Sequence, residues 1–367
     1  FARRPAIAIS RSSRSGTPSG PRSHSPTGLV SHTRLTVLVE DLAALAAAAA
    51  GTAAPVLERC LARGRPLARS VANPDELRFA LFDAGADIPG QAPVGALTAV
   101  ADGLTVMGDD RYWLRVDPVT LTADLTRVFM TAHGLADVDE ADRNALRACV
   151  ADVLADAGYR LQHGQPDRWL LALDDAPPFS FMRMQDALGL DMAEALPGAA
   201  DARDWRRLLT DIQIALHNAE VNARRRAQGL REVNAAWIWG GGRLPTTKPS
   251  CAFDRVLSDH PVSHGLAKLA GCTARSGKES EAADAVARGG ATLFDWRVGR
   301  SGAGAELARL EDFFSRCMQD VAGGRLELTL FDGGGSGWRL DRAALRRFWR
   351  RPQPLSERFS TGTGAPA

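Results

Sequence analysis

No run in the 367-residue chain approaches the roughly 20 apolar residues that a membrane-spanning helix requires. The Ala-rich stretch at 43–50 is too short and too weakly apolar, so no membrane partner is expected. The five cysteines, Cys60, Cys149, Cys251, Cys272 and Cys317, are odd in number and widely spaced, and no CxxC pair occurs. A disulfide framework or a zinc site needs paired thiols, so these read as free thiols of a reducing, cytoplasmic setting. The net charge of +2 gives no strong pull toward nucleic acid or acidic partners. No acidic residue precedes Glu40, and residues 1–30 are rich in Ser, Arg, Gly and Pro. That composition reads as a structureless tail, and would also suit a transit peptide or an upstream extension.

What is present is ordinary globular material, 45% hydrophobic and 24% charged, in a chain longer than one average domain needs. RLTVLVEDL (34–42) alternates like a strand and turns helical through the alanines. Asn73-Pro74 opens a helix with acidic residues in its first turn, where the helix dipole favours them. The segment 110–124 reads as a strand ending at Asp117-Pro118, followed by a polar crossover. Residues 140–158 form an amphipathic helix, and 159–178 a hairpin-like pair. Residues 202–229 read as one long helix, VNAAWIW as a strand that the glycines end, and ATLFDW (291–296) as a strand. A helix then follows at 305–323, and a strand, a Gly run and a return at 325–340. Alternating helix and strand in the second half point to an α/β sheet with helical covers. The expected division is a tail at 1–30, an α/β core over 31–116 and 179–355, a small α+β subdomain at 117–178, and a second tail at 356–367.

The densest constellation is HNAEVNARRRAQGLREVNAAWIWGGGR (217–243). A helix carrying His217, Asn222 and Arg225 feeds a strand that begins near Asn234 and meets Gly240, Gly241, Gly242 and Arg243. Ligands of open α/β sheets sit beyond the carboxyl ends of strands, and glycines there let backbone N–H groups approach an anion. Arg225 and Arg243 could fork onto a phosphate. The competing reading makes the tryptophans core, the glycines a tight turn and the arginines solvated; no Lys-Ser/Thr follows in register to make a phosphate loop of the Walker kind.

Three weaker signals remain. Asp259-His260 with His264 reads either as metal ligands or as a surface turn. Asp332 before Gly-Gly-Gly could hold a metal or cap a turn. RRFWRRP (346–352) could touch nucleic-acid phosphates, but a helix end followed by Pro accounts for it, so no nucleic acid is expected.

The 217–242 run resembles a signature of cofactor-independent phosphoglycerate mutases of the archaeal type, with Asn222, Arg225, Gly229, Asn234, Trp237, Trp239, Gly240 and Gly242 in matching places. GLAKLAG (265–271), ATLFDW, AELARLEDFF and LELTLFDGGG follow in a similar order. RVDPV (115–119), RWLLAL, the Trp-x-Trp-Gly-Gly-Gly run and FWRRPQPL also resemble a bacterial family of regulatory proteins, RpfE, related to those mutases. The resemblance implies an alkaline-phosphatase-like central sheet covered by helices. It also implies a two-metal site and a serine nucleophile. The chain departs from that pattern: no Asp-Gly pair follows the first strand, and the late histidines are absent from DWRVGRSGAG and FDGGGSG. The family's helix histidine falls at Ala219. Asp259, His260, Asp295 and Asp332 are the leftover metal candidates, too few for the roughly six to eight ligands of a two-metal site. The expectation is therefore a mutase-like regulatory protein without chemistry or cofactor, binding a phosphorylated small molecule or a protein partner. The alternative is an active mutase or phosphohydrolase using Mn or Zn.

Overall fold

The computed structural model describes residues 33–68, 71–84, 92–198, 200–299 and 302–360. The expected tail at 1–30, most of the loop after Ala84 and residues 361–367 lie outside them. The strands are β1 (Thr33–Val39), β2 (Arg65–Ala68), β3 (Tyr112–Asp124), β4 (Arg127–His133), β5 (Leu161–Gln165), β6 (Arg168–Leu173), β7 (Ala235–Gly242), β8 (Arg255–Leu257), β9 (Ala274–Arg275), β10 (Ala291–Trp296), β11 (Leu326–Phe331) and β12 (Ser336–Leu340).

The larger sheet has the order β2-β12-β11-β1-β10-β8-β9. Its five strands β11, β1, β10, β8 and β9 run parallel, and at one edge β12 pairs antiparallel with β11 and with β2. Parallel strands are buried on both faces by helices, which is why ATLFDW is buried throughout and shows no polar face. Leu35, Val37 and Val39 of β1 join Phe294 and Trp296 under helices Leu42–Ala48, Pro55–Arg63 and Ala303–Ala322. Leu38 and Leu293 face the other way, toward helices Pro74–Leu81, Val94–Ala101 and Pro261–Ala270. This mixed α/β architecture is the expected fold class.

Helix Val94–Ala101 carries no polar stripe because it lies between two sheets. Its other neighbour is the second sheet, in which β3 pairs with β4, β6 and β7 and β5 extends from β6. Val119 pairs with both His133 and Ala235, so β4 and β7 flank β3 on opposite sides. The far face of this sheet holds Leu114, Val116, Trp169 and Ile238 under helices Glu140–Asp156 and Arg203–Asn218. Helices Val94–Ala101 and Pro261–Ala270 touch at Gly265, where a Cβ would lie 2.8 Å from the Leu97 carbonyl carbon.

The details differ from the sequence reading in five places. β3 runs through Pro118 to Asp124; the proline sits where the neighbour on one side changes from β6, paired as far as Val116, to β4, paired from Val119. The second sheet therefore begins at Tyr112 and recruits β7 from beyond residue 178, across both expected boundaries of the small subdomain. The long helix is two, Arg203–Asn218 and Glu220–Ala227, broken at Ala219 (ψ 133°) because the Asn222 side chain donates to the Leu216 carbonyl at 2.8 Å. Residues 346–352 are not a helix end: a short 3₁₀ turn, Ala344–Arg346, precedes an irregular loop. The tail expected from 356 begins with a helix, Leu355–Ser360, seated by buried Leu355.

All five cysteines are free, and burial pushes the Cys60 and Cys317 thiols up to about 12. Among the described residues, no helix is long and apolar enough to cross a membrane.

Candidate functional site

Glu40, Ser258 and Asp332 directly follow the parallel strands β1, β8 and β11, and Asp295 is the penultimate residue of β10. Helix Pro74–Leu81 starts beside these ends, with the Asn73 side chain capping the backbone N–H groups of Asp75 and Glu76 at 3.1 Å. One turn in, the Arg78 side chain is only 1% exposed. Its Nε donates to Asp295 Oδ2 at 2.9 Å and its Nη2 to Oδ1 at 3.0 Å, a two-pronged pair. Nη1 donates to Asp75 Oδ1 at 3.2 Å, and Glu40 Oε2 lies 3.7 Å from Nη2. Ser258 and Ser263 add hydroxyl donors to Asp295 at 2.9 and 2.8 Å.

Charge balance follows from this geometry. Burial works to raise the Asp295 carboxyl, but Arg78, helped by His260 and the Ser263 hydroxyl, holds the group down at about 2. Burial likewise opposes ionisation of Asp75, and His260 once protonated in acid, together with Arg78 and Arg183, overcomes it. Burial raises Glu40 in spite of the opposing pull of Arg78. Burial, reinforced by Arg78, pushes His260 down to about 4. The 3.7 Å approach of His260 Nε2 to Asp75 is therefore, at neutral pH, a contact between a neutral ring and a carboxylate.

Glu40, Asp75 and Asp295 thus face a permanent internal cation. A divalent pair fits poorly here, because every carboxylate that turns inward is already directed at Arg78. Among the described residues, no three His, Cys, Asp or Glu side chains come together in a way that could hold a metal.

Beside the cluster opens a cleft of about 140 Å³ between the two sheets. Asn73, Asp75 and Arg183 line one side, Tyr112, Gly240 and Gly241 the other, with Phe181 and Val94 among the apolar lining. Arg183 reaches Asp75 Oδ2 at 3.4 Å and Asp186 Oδ1 at 3.5 Å, and its buried Nε has no partner among the described residues. Tyr112 stays protonated at neutral pH, because burial raises its phenol more than Arg243 lowers it.

The glycine run is part of this wall. β7 continues through it, with a register shift opposite β3 and Gly240 at φ +66°. A Cβ on Gly241 would stand 2.7 Å from the Tyr112 Cζ, and one on Gly242 would stand 2.5 Å from the Pro93 Cβ. Trp237 and Trp239 turn together into the inter-sheet core, as their alternation predicts. Trp237 Nε1 donates to the Met182 carbonyl at 3.0 Å, and Trp239 Nε1 donates to Asp117, which also pairs with Arg115.

Of the eight candidate ligand residues, Gly240 and Gly241 line the cleft and Gly242 packs behind it. His217 makes no contact with the cleft, and the other four do structural work. His217 is exposed at the end of helix Arg203–Asn218. Asn222 is buried, donating to the Leu216 and Val233 carbonyls and accepting from Val233 N. Arg225 donates to the Arg231 carbonyl at 2.9 Å and to Asp142 at 3.4 Å. Asn234 mimics a strand residue, bonding Leu121 N at 2.7 Å and Leu121 O at 2.9 Å. Arg243 donates to the Asp174 carbonyl at 2.7 Å.

The metal candidates disperse too. Asp259 accepts from Ser276 at 2.8 Å, and Asp332 caps its own glycine turn through Gly334 N at 3.0 Å. Only His260 and Asp295 enter the buried cluster; His260 is no surface turn, since it precedes helix Pro261–Ala270 with its backbone N–H bonded to Ser258 Oγ. Asp75, Arg78, Arg183 and Tyr112 escape a reading of sequence motifs. The one local signal is the Asp75–Arg78 spacing of three within a helix.

No protein-family model and no curated protein matches the chain. Among solved structures it is similar to the cofactor-independent phosphoglycerate mutase from Thermoplasma acidophilum DSM 1728, at 15% identity and a TM-score of 0.45, over 90% of this chain and 95% of that one. It is also similar to the PH0037 protein from Pyrococcus horikoshii, at 12% identity and a TM-score of 0.43, over 86% and 92%.

Proposed function

We propose that this chain binds a small phosphorylated ligand in the cleft between its two sheets and does not turn it over through a metal ion. The observation that carries the reading is Arg78, a fully buried guanidinium held by Asp295 and Asp75 at the carboxyl end of the parallel sheet. A guanidinium supplies positive charge without Lewis acidity, so the acidic groups there are stabilised but not armed. Next to them, Arg183 offers an unpaired Nε, Tyr112 a neutral hydroxyl and Asn73 an amide, donors suited to phosphate oxygens. Asp75, held ionised, suits a hydroxyl on the same ligand. Binding without turnover agrees with a regulatory role of the kind that the RpfE-like segments imply.

Isothermal titration with 3-phosphoglycerate and with inorganic phosphate tests this. Heat with the wild type that disappears in Arg183→Ala is expected. No heat at millimolar ligand with folded protein would overturn the ligand-binding reading. Mn²⁺-dependent turnover would instead favour an active mutase or phosphohydrolase.

A further inference from the structure

We propose that the loop from Arg346 to Arg351 is a docking point for anionic phospholipid surfaces. Seven of the eight tryptophans are at most 9% exposed, whereas Trp349 is 64% exposed and its neighbour Phe348 77%. Large aromatics left in water beside each other mark contact sites. The loop is not loose chain. Arg347 donates to the Arg63 and Gly64 carbonyls at 3.3 and 3.0 Å, Arg63 donates back to the Leu345 carbonyl at 3.2 Å, and buried Ala344 and Leu355 seat both ends. The aromatic pair is thus held out from a firm base.

Charge complementarity names the partner. Arg342, Arg346, Arg350 and Arg351 are exposed and make no ion pair among the described residues, and no acidic residue stands between Asp341 and Glu357. Aromatic rings with an amphipathic edge settle at the headgroup level of a bilayer, and flanking arginines meet lipid phosphates. Phe348 and Trp349 pack edge to face, at 5.4 Å and 81°. They do not offer the parallel faces on which successive bases of a single strand stack, so lipid fits better than nucleic acid. β12 leads into this loop from Leu340, which pairs with Leu328 near the start of β11. The loop therefore lies toward the amino ends of the parallel strands, away from the cleft, and docking there leaves the cleft open. Such contact is peripheral and needs no membrane-spanning segment.

Vesicle co-sedimentation of the full chain tests the proposal, with phosphatidylcholine vesicles alone and with about one third phosphatidylserine added. Binding to the anionic vesicles only is expected, weakened by salt. F348S/W349S and R350E/R351E should each lower it about tenfold or more while circular dichroism stays unchanged. Absence of sedimentation with anionic vesicles overturns the proposal. So does binding that survives both double variants, which would assign the contact to another basic segment, or tighter capture by a single-stranded oligonucleotide than by vesicles.

Discussion

Arg78 and Asp295 lie 217 positions apart in sequence and meet in a buried, two-pronged ion pair with N–O distances of 2.9 and 3.0 Å. The pair joins the helix Pro74–Leu81 to the end of β10, and Ser258 and Ser263 complete the coordination of the carboxylate. Breaking it from one side leaves an uncompensated buried charge. Arg78→Leu should therefore cost about 3–5 kcal/mol in urea denaturation. The second change Asp295→Asn should recover part of that loss. Additive losses in the double variant would mean that the two residues act independently.

Acid should weaken the fold through the same cluster. His260 is pushed down to about 4 by burial and by Arg78, from an ordinary 6.5. A group whose folded pKa is lowered contributes stability that is complete above the unfolded value and is lost as the pH falls toward the folded one. For His260 that window runs from pH 6.5 down to 4; for Asp295, from 3.8 down to about 2. Unfolding free energy should drop by about 2 kcal/mol across the first window, with the partial exposure of the ring allowed for. His260→Gln should flatten that slope. Superimposable slopes for wild type and variant would refute the assignment.

The glycine wall makes a steric prediction. In Gly241→Ala the new methyl meets the Tyr112 ring, so the ring must move into the cleft. Phosphate affinity should fall about tenfold or more, at a stability cost of about 1–3 kcal/mol. Adding Tyr112→Ala should restore the stability. A calorimetric titration that leaves the affinity of the single variant unchanged would place the ligand elsewhere.

Much of the fold is legible in the sequence. β1, β10 and β11, and helices such as Ala303–Ala322, announce themselves by their hydrophobic pattern. The helix break at Ala219 is not visible, because it depends on a side chain three residues on reaching back to the Leu216 carbonyl and across to Val233. The candidate site is legible only in its glycines. Asn222, Arg225 and Asn234 have the residue types of a ligand set, yet each is spent on backbone groups or on Asp142. The residues that do converge, Asp75, Arg78, Arg183 and Asp295, come from three segments, and beyond the Asp75–Arg78 spacing their long-range pairing leaves no local pattern to read.

That difference of roles can be measured. Asn222→Ala takes away the side-chain partner of the Val233 carbonyl and N–H and one of the two donors to the Leu216 carbonyl. It should cost about 2–4 kcal/mol of stability and leave phosphate affinity unchanged. Arg183→Ala should do the reverse, with a stability change within about 1 kcal/mol and the phosphate heat lost. Paired thermal melts and titrations of the two variants check both, and a loss of affinity in Asn222→Ala with the fold intact would return that residue to the ligand set.

The account turns on Arg78 serving as the permanent cation of the strand-end cluster, so that ligand binding owes nothing to a metal. Its most direct test is one calorimetric titration of 3-phosphoglycerate, run in EDTA and again with Mn²⁺. The account predicts saturable heat in EDTA and the same affinity with the metal present. Heat that appears only with Mn²⁺ would contradict it.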